Sequence, residues 1–248
     1  LLTRTKLDLR PQAIKVYGYS SISLSVGMLF CYFAAQHISS GLMALSFGLT
    51  PLLSGVMAQR WLNEKKFTIV KKIAIALSFL GLAIVCGDNL KIDSSAIYGI
   101  TFILIGAILF SYSGVKVKGV EVQMSSLSIT VGSLLVSLPV YVLAWWILDG
   151  ELNYQQWQMR SIAAVIYMGV FASLLGFLAY FYILKRLDAS TVAMTTMLTP
   201  LMSLILGVLL NDERFSMTLA IGGMLIVTGL GLFLFGNRLV KKFEYKYL

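Results

Sequence analysis

The stretch that decides the fold is Ala44–Thr68, ALSFGLTPLLSGVMAQRWLNEKKFT, and the chain holds a second copy at Ala193–Ser216, AMTTMLTPLMSLILGVLLNDERFS. Aligning Pro51 with Pro200 gives an offset of 149 residues. The same offset aligns further alanine, leucine, threonine, serine and glutamate positions of the two copies. A long internal period indicates a chain built from repeated units. We therefore interpret the protein as an internal duplication.

The composition indicates that the protein folds in a lipid bilayer. Hydrophobic residues make up 58% of the chain and charged residues 12%, with a mean hydropathy of +0.84, whereas soluble proteins carry about 25% charged residues. The formal net charge is +9, but the basic residues lie in short clusters between long apolar runs. This pattern is typical of membrane-surface loops and argues against nucleic-acid binding. Two separate cysteines and one histidine offer no disulfide framework and no zinc site, so we predict no metal and no cofactor.

Eight apolar runs are long enough, at about 20 residues, to cross the hydrocarbon core as helices. They are Val16–Ala35, Gly41–Leu62, Ile69–Gly87, Ile97–Val115, Leu127–Leu148, Ser161–Leu184, Ala189–Leu210 and Met217–Gly236. The links between them are short, and no run suggests a soluble domain. The sequence therefore predicts an all-α polytopic membrane protein with eight transmembrane helices.

The basic residues are distributed unequally between the two sides of the predicted membrane. Sixteen lysines and arginines lie on the side of the termini, and three lie on the opposite side. Because cytoplasmic loops carry most of the Lys and Arg, we predict an inner-membrane protein with both termini in the cytoplasm. The Glu64 loop then lies inside and the equivalent Glu213 loop lies outside. Five spans, an odd number, separate the copies, so the two halves are predicted to be inverted.

The repeat divides the chain unevenly. Residues 1–90 hold three predicted spans, with the repeated motif on the second, and residues 91–248 hold five, with the motif on the fourth, followed by a basic tail. Beyond the motif the offset becomes 148 residues, which pairs Gly81 with Gly229. Two further spans are expected to precede Leu1 in a complete first repeat. Inverted repeats are typical of secondary transporters, whose sites lie near the membrane midplane.

The pattern A-L-x4-T-P-L…L-x-E at Ala44–Glu64, with a weaker echo at Ala193–Glu213, resembles the EamA family of the drug/metabolite transporter superfamily. The resemblance extends from Gly27 to Gly236. It implies a ten-helix architecture of two inverted five-helix repeats (5+5), of which eight helices are present here. It also implies transport of small metabolites such as amino acids through a central cavity that the first two spans of the family help to line.

Two stripes of hydroxyl groups run past the repeated prolines. They are Ser46, Thr50 and Ser54 around Pro51, and Thr195, Thr199 and Ser203 around Pro200. A proline cannot donate to the carbonyl four residues back, so the carbonyls of Phe47 and Thr196 are predicted to be free. Free backbone beside hydroxyls at mid-membrane depth would form an uncharged polar site. The alternative is that the hydroxyls bond carbonyls of their own helices and serve helix packing.

Aromatic and hydroxyl side chains on other spans extend the predicted lining. They are Tyr17 and Ser21 on the first span, Tyr112 within Ser111–Ser113 on the fourth, and Tyr180 on the sixth. Such groups around an uncharged cavity suit a partly apolar solute. Tyrosines near span ends, such as Tyr17 and Tyr180, are equally compatible with anchoring at the membrane interface.

These features predict a secondary transporter, a permease or exporter of small metabolites that works by alternating access, and not an enzyme. The chain has no G-x4-G-K-[ST] motif of a nucleotide-driven pump. The predicted partners are a small-molecule substrate and the lipid bilayer; nucleic acid is excluded, and a homodimer is left open. Two alternatives remain: efflux of lipophilic drugs and, in a different class, a membrane-embedded enzyme or assembly factor that acts on lipid.

Overall fold

The computed structural model describes residues 7–63, 67–92, 95–120, 122–148, 157–175 and 216–247, together with the short pieces 202–203, 206–207 and 209–210. Within these residues every regular element is a helix. The first span consists of α1 (Pro11–Ile22), a π-helical turn (Ser23–Gly27) and α2 (Met28–Ala34); the second consists of α3 (Ser40–Phe47) and α4 (Thr50–Trp61). They are followed by α5 (Ile69–Ile92), α6 (Ala96–Lys118), α7 (Ser126–Leu148), α8 (Met159–Tyr167), a π-helical segment (Met168–Leu175) and α9 (Met217–Tyr247).

Five helical segments of the described residues are long and apolar enough to cross a membrane. They are Pro11–Ala34, Ser40–Trp61, Ala96–Lys118, Leu127–Leu148 and Met217–Gly236, and each matches a predicted span. Helix α5 covers the third predicted span, and α8 with its π-helical continuation covers the first part of the sixth. The seventh lies mostly outside the described residues. The protein is thus an all-helical, multi-pass membrane protein, and the count of eight spans stays a prediction.

The second span differs from the sequence expectation, because the continuous run Gly41–Leu62 forms two helices. Helix α3 ends at Phe47, and α4 begins at Thr50 after a turn at Gly48 and Leu49. The position of Pro51 explains the restart: a proline lacks the N–H of a helix interior but fits the first turn, where that N–H has no intrahelical partner. Apolar length alone cannot show this break, since the run Ser40–Trp61 is apolar enough throughout to form one continuous span.

The first span crosses the fourth closely at a pair of glycines. A Cβ atom built on Gly106 would lie 3.1 Å from the Cys31 sulfur and 3.3 Å from the carbonyl oxygen of Gly27. On the other side of the first span, the hydroxyl of Tyr141 in α7 donates to the carbonyl of Leu24 in the π-helical turn. The π-helical geometry frees such carbonyls from the regular i→i−4 pattern. The first span therefore lies between the fourth and fifth spans.

Helices α5 and α9 pack against each other along most of their length. A Cβ atom on Gly81 would lie 2.6 Å from the carbonyl oxygen of Gly222, and one on Gly229 would lie 2.7 Å from the carbonyl oxygen of Ala74. Small residues let helix backbones approach this closely in membranes. The two contacts are related to each other, because the 148-residue offset carries Gly81 onto Gly229 and Ala74 onto Gly222.

The same two helices run antiparallel. Val85, late in α5, contacts Gly222 early in α9, whereas Val70, early in α5, contacts Gly236 further along α9. Reciprocal contacts of this kind arise when two similar elements are related by a two-fold axis. An axis that exchanges two antiparallel helices passes between them, near the middle of their contact, and reverses the helix direction.

The outside of the helical bundle is strongly apolar. Helix α7 exposes 72% of Trp146 and 68% of Ile147, and α8 exposes 72% of Val165. Water would disfavour an apolar surface of this extent, whereas the hydrocarbon core of a bilayer accepts it. The fold thus agrees with the composition: within the described residues, large apolar side chains are exposed on the outside, and the buried polar side chains are serines.

Candidate functional site

The site begins at the break in the second span. The N–H groups of Gly48 and Leu49 still bond back to the carbonyls of Ala44 (2.9 Å) and Ser46 (3.1 Å), and the N–H of Leu53 bonds to the carbonyl of Leu49 (3.0 Å). The backbone is therefore tightened at the break but not unfolded. Because Pro51 has no N–H, the carbonyl of Phe47 loses its regular helical donor.

The carbonyl of Phe47 is not free, and that prediction is wrong. The hydroxyl of Thr50 donates to it at 2.5 Å. Thr50 is three residues further along the chain, which places its short side chain beside the carbonyl that Pro51 leaves unpaired. The side chain thus replaces the missing backbone donor. The equivalent carbonyl of Thr196 lies outside the described residues.

Helix α6 supports the break at two consecutive residues. The Ser111 side chain is buried, and its Oγ lies 2.8 Å from the carbonyl oxygen of Ala107 and 3.2 Å from that of Thr50. The ring of Phe110 meets the ring of Phe47 edge-on, with 5.1 Å between the centroids. Ser111 is thus a functional candidate that sequence reasoning assigned to a polar segment but did not select, since the sequence does not show which helix the side chain faces.

The three hydroxyls of the first stripe are used differently. Ser46 is fully buried, and its Oγ donates to the carbonyl of Leu42 at 2.8 Å. The hydroxyl of Thr50 donates to the carbonyl of Phe47. Ser54 is partly buried, and within the described part of the chain its hydroxyl makes no hydrogen bond. Ser46 thus fits the alternative hypothesis, that the hydroxyls bond carbonyls of their own helix and serve packing. Ser54 does not, because its hydroxyl has no partner among the described residues.

The second stripe is described only at Ser203. Its Oγ donates at 3.1 Å to the carbonyl of Ser40 at the beginning of α3. This bond brings the predicted seventh span to the second. Thr195, Thr199, Pro200 and Tyr180 lie outside the described residues, so their assignment to the site stays a prediction.

Tyr17 and Ser21 lie at a helix contact rather than at the break. Tyr17 is buried with its ring against Gly132 of α7, and its hydroxyl lies 2.8 Å from Ser128 Oγ and accepts from the N–H of Asp8. The Oγ of Ser21 donates to the carbonyl of Gly18 in the same helix. Both polar groups are satisfied by protein: Tyr17 packs the first span onto the fifth, and Ser21 bonds within its own helix.

The residues that precede the first span are held close to Tyr17 by a hydrogen bond. Arg10 donates to the Asp8 carboxylate at 2.9 and 3.0 Å and to the carbonyl of Gln123 at 3.2 Å. The hydrogen bonds from Arg10 hold the pKa of the exposed Asp8 carboxyl below its ordinary value. This ion pair lies outside the spans and is remote from the break.

Tyr112 follows Ser111 directly but faces a different neighbourhood. Its ring meets Trp61 edge-on at 5.2 Å between centroids, and Lys116 Nζ lies 5.6 Å from the Tyr112 centroid and 4.9 Å from that of Trp61. The structure therefore separates Tyr112 from the break and places it in an aromatic and basic cluster at the ends of α4 and α6.

The chemistry available at the break is uncharged. Ser46, Phe47, Thr50, Ser54 and Ser111 supply hydroxyls and backbone carbonyls, none of which is ionisable. Over the part of the chain that the structure describes, no group of three or more His, Cys, Asp or Glu residues could hold a metal ion. The arrangement can bind a solute through neutral hydrogen bonds and can bend at the interruption, but it offers no nucleophile with a paired base.

Comparison with known proteins identifies a family. A family model described as the EamA-like transporter family matches residues 97–235. The uncharacterized transporter YoaV of Bacillus subtilis is 22% identical over 236 residues, which cover 92% of this chain and 78% of YoaV. The uncharacterized transporter YvbV of the same organism is 28% identical over 219 residues, covering 86% of this chain and 66% of YvbV. A probable amino-acid metabolite efflux pump of Escherichia coli is 25% identical over 242 residues, covering 90% of this chain and 76% of the pump.

Proposed function

The chain belongs to the EamA-like transporter family, and on that premise we propose that it is a secondary transporter of small organic metabolites that works by alternating access. Membership makes it a membrane transporter and not an enzyme. The proposal adds the class of solute, the mechanism and the residues that bind. It further places the protein in the inner membrane with both termini in the cytoplasm, on the bias of sixteen basic residues against three.

The observation that carries the proposal is the interruption of the second span between Phe47 and Thr50. Discontinuous helices near the midplane form the solute sites of many secondary transporters, because they present backbone polar groups where a continuous helix would hide them. Here the interruption lies in a repeated motif, beside the hydroxyl of Ser54, which has no hydrogen-bond partner among the described residues. The interruption also provides a place where one half of the span can tilt against the other.

The packing of α5 on α9 supports an inverted repeat. These helices are equivalent under the 148-residue offset, they run antiparallel, and the contact of Gly81 with Gly222 recurs as that of Gly229 with Ala74. We infer that residues 1–90 and 91–248 are two repeats of opposite orientation. In such an architecture, rocking of one repeat against the other opens the shared site to each side of the membrane in turn.

We assign the solute site to the two hydroxyl stripes and their prolines. In the first repeat Ser54 contacts the solute, and Thr50, Pro51 and Ser46 shape the break. In the second repeat Thr195, Thr199 and Pro200 take the equivalent places, whereas the Ser203 hydroxyl joins the second repeat to the first through its bond to the Ser40 carbonyl. Of the aromatic residues, Tyr180 is retained as a lining candidate on the sequence alone. Tyr17, Ser21 and Tyr112 are assigned to packing or to the helix ends, since their polar groups or rings have protein neighbours there.

The solute is proposed to be a small amino-acid metabolite. Neutral hydroxyls beside aromatic rings suit a molecule with a polar end and a partly apolar body. One relative that matches most of this chain is named as a probable amino-acid metabolite efflux pump. Neither observation selects a particular amino acid, so the experiment must compare several.

The experiment is a binding screen followed by a flux measurement on the full-length gene product. The melting temperature of purified protein is measured with amino acids, sugars and lipophilic cations, and each stabilising compound is then loaded into proteoliposomes. We expect an amino acid or amino-acid derivative to raise the melting temperature and to cross the membrane without ATP. Flux of lipophilic cations alone would replace the proposal with drug efflux. Chemical turnover of added lipid in detergent, with no flux of any compound, would overturn it in favour of a lipid-acting enzyme.

A further inference from the structure

A pocket lies at the ends of α4 and α6, away from the break in the second span. It encloses about 200 Å³ and is lined by Tyr19, Trp61, Leu62, Lys116 and the backbone near Gly119. Trp61 is the last residue of α4, and Lys116 lies in the last turn of α6. The pocket therefore opens at the membrane surface on the side that the basic loops predict to be cytoplasmic.

Lys116 is the charged residue of this pocket. Its ammonium group lies over the rings of Trp61 and Tyr112, which hold the side chain in one place. Among the residues that the structure describes, Lys116 forms no ion pair, and the described salt bridge lies elsewhere, between Asp8 and Arg10. The ammonium group thus has donors available for an anion that enters the pocket.

Two further donors are available beside it. The indole N–H of Trp61, whose side chain is 42% exposed, and the hydroxyl of Tyr19 have no hydrogen-bond partner within the described part of the chain. Both residues line the same pocket as Lys116. The partial negative charges of the two helix ends oppose an anion, but basic residues in both last turns, Arg60 in α4 and Lys116 itself in α6, offset them.

We propose that this pocket binds the phosphate of an anionic phospholipid from the cytoplasmic leaflet. A pre-positioned ammonium group and two neutral donors match the oxygens of a phosphate, and basic pockets between transmembrane helices on the cytoplasmic side are suited to lipid headgroups. Trp61, Leu62 and Val120 also line the pocket, and their apolar surfaces suit the glycerol and acyl part of a lipid held at the membrane interface. A soluble anion would gain nothing from these apolar contacts.

A lipid in this position would connect the end of α4 to the end of α6. These are the same helices that meet at the break through Thr50 and Ser111. The bound lipid would stabilise the protein by holding the two helix ends together, and it would not compete with the transported solute. The inference uses the proposed orientation of the membrane, but it does not depend on the identity of the solute.

The test measures the melting temperature of detergent-purified full-length protein during titration with three probes: dioctanoyl-phosphatidylglycerol, dioctanoyl-phosphatidylcholine and inorganic phosphate. We expect phosphatidylglycerol to stabilise the protein saturably. Lys116→Gln should weaken its apparent affinity by about tenfold, the loss expected for hydrogen bonds to a charged group. The matched control is Lys118→Gln, which removes the same charge two residues away, outside the pocket lining, and should leave the affinity nearly unchanged.

Two conservative variants keep the test decisive if Lys116→Gln fails to fold. Trp61→Phe and Tyr19→Phe each retain an aromatic ring but lose one donor, and each should weaken phosphatidylglycerol binding. Equal stabilisation by phosphatidylcholine, or equal losses in Lys118→Gln and Lys116→Gln, would contradict the proposal. Stabilisation by inorganic phosphate at the same affinity would identify a free-anion site and contradict the lipid assignment. No transported solute is present, so failure here is separate from failure of the transport proposal.

Discussion

Ser111 Oγ lies 3.2 Å from the carbonyl oxygen of Thr50 and 2.8 Å from that of Ala107. A serine hydroxyl has one proton, so it donates to one of these carbonyls at a time. Donation to Ala107 stays within α6, whereas donation to Thr50 joins α6 to the start of α4. This hydroxyl therefore sits between two alternative acceptors at the point where the second span is interrupted.

Replacing Ser111 by Ala should alter the rate of transport more than the affinity for the solute. The substitution removes a bond worth about 1 kcal/mol, which corresponds to a change of about fivefold in the balance between two helix arrangements. We expect a changed maximal flux in proteoliposomes with a solute Kd close to that of the wild type. Thr101→Val is the control, because Thr101 is exposed on the same helix and its hydroxyl bonds only within that helix. Equal flux in the wild type and Ser111→Ala would remove Ser111 from the mechanism.

Ser54 and Ser46 should respond differently to the same substitution. Ser54→Ala deletes an unpaired, partly buried hydroxyl, so the solute should bind about fivefold more weakly while the melting temperature stays the same. Ser46→Ala deletes a fully buried hydroxyl that is bonded to Leu42, so it should affect stability and not affinity. Both quantities are read from thermal shifts with and without the solute. If Ser46→Ala lost affinity and Ser54→Ala did not, the solute would contact Ser46 rather than Ser54.

The crossing of α5 and α9 should not tolerate a methyl group. Gly81→Ala would place a Cβ 2.6 Å from the carbonyl oxygen of Gly222 and 2.8 Å from the Cβ of Leu225. Backbone cannot yield as a flexible side chain does, so we expect destabilisation of about 1–3 kcal/mol, visible as a lower melting temperature. Gly114→Ala, where a Cβ would have nothing within 4 Å, is the matched control. If both variants melt alike, the helices do not pack this closely in the membrane.

Cysteine labelling should establish the orientation of the chain. In a background without Cys31 and Cys86, single cysteines at Lys66 and Lys118 should react with an impermeant maleimide only from the cytoplasm. Cysteines at Asp93 and Asp149 should react only from the outside. Labelling of positions 66 and 93 from one face would contradict the alternation of loops on which the inversion rests.

The sequence predicts the helices of this protein well, and it does so for a physical reason. Lipid requires long apolar helices whose backbone groups are paired internally, so the spans at Ala96–Lys118 and Leu127–Leu148 follow from hydropathy alone. Proline chemistry pointed to Pro51 as a special position. It did not reveal that α3 and α4 are separate helices, or that Thr50 supplies the donor that Pro51 lacks.

Contacts between helices could not be predicted from the sequence. The hydroxyls of Ser46, Thr50 and Ser54 share one helical face, but their partners depend on where the neighbouring backbone lies. Ser111 and Tyr112 are adjacent in sequence yet join different neighbourhoods, because successive residues of a helix point about 100° apart. Only the packed structure shows that Ser111 faces the break, whereas Tyr112 faces Trp61.

The most direct test of the account is a double-mutant cycle on solute affinity with Thr50→Val and Thr199→Val. Valine keeps the shape of threonine at both repeated T-P positions but removes the hydroxyl, which at Thr50 is the donor to the carbonyl of Phe47. We expect each variant to weaken binding by about 1 kcal/mol, at Thr50 because loss of the bond to the Phe47 carbonyl alters the break beside which the solute binds. If both repeats form one site, the two losses should be non-additive by at least about 0.5 kcal/mol. Strictly additive losses, or unchanged affinity together with reduced stability, would contradict a shared site at the two repeated T-P positions.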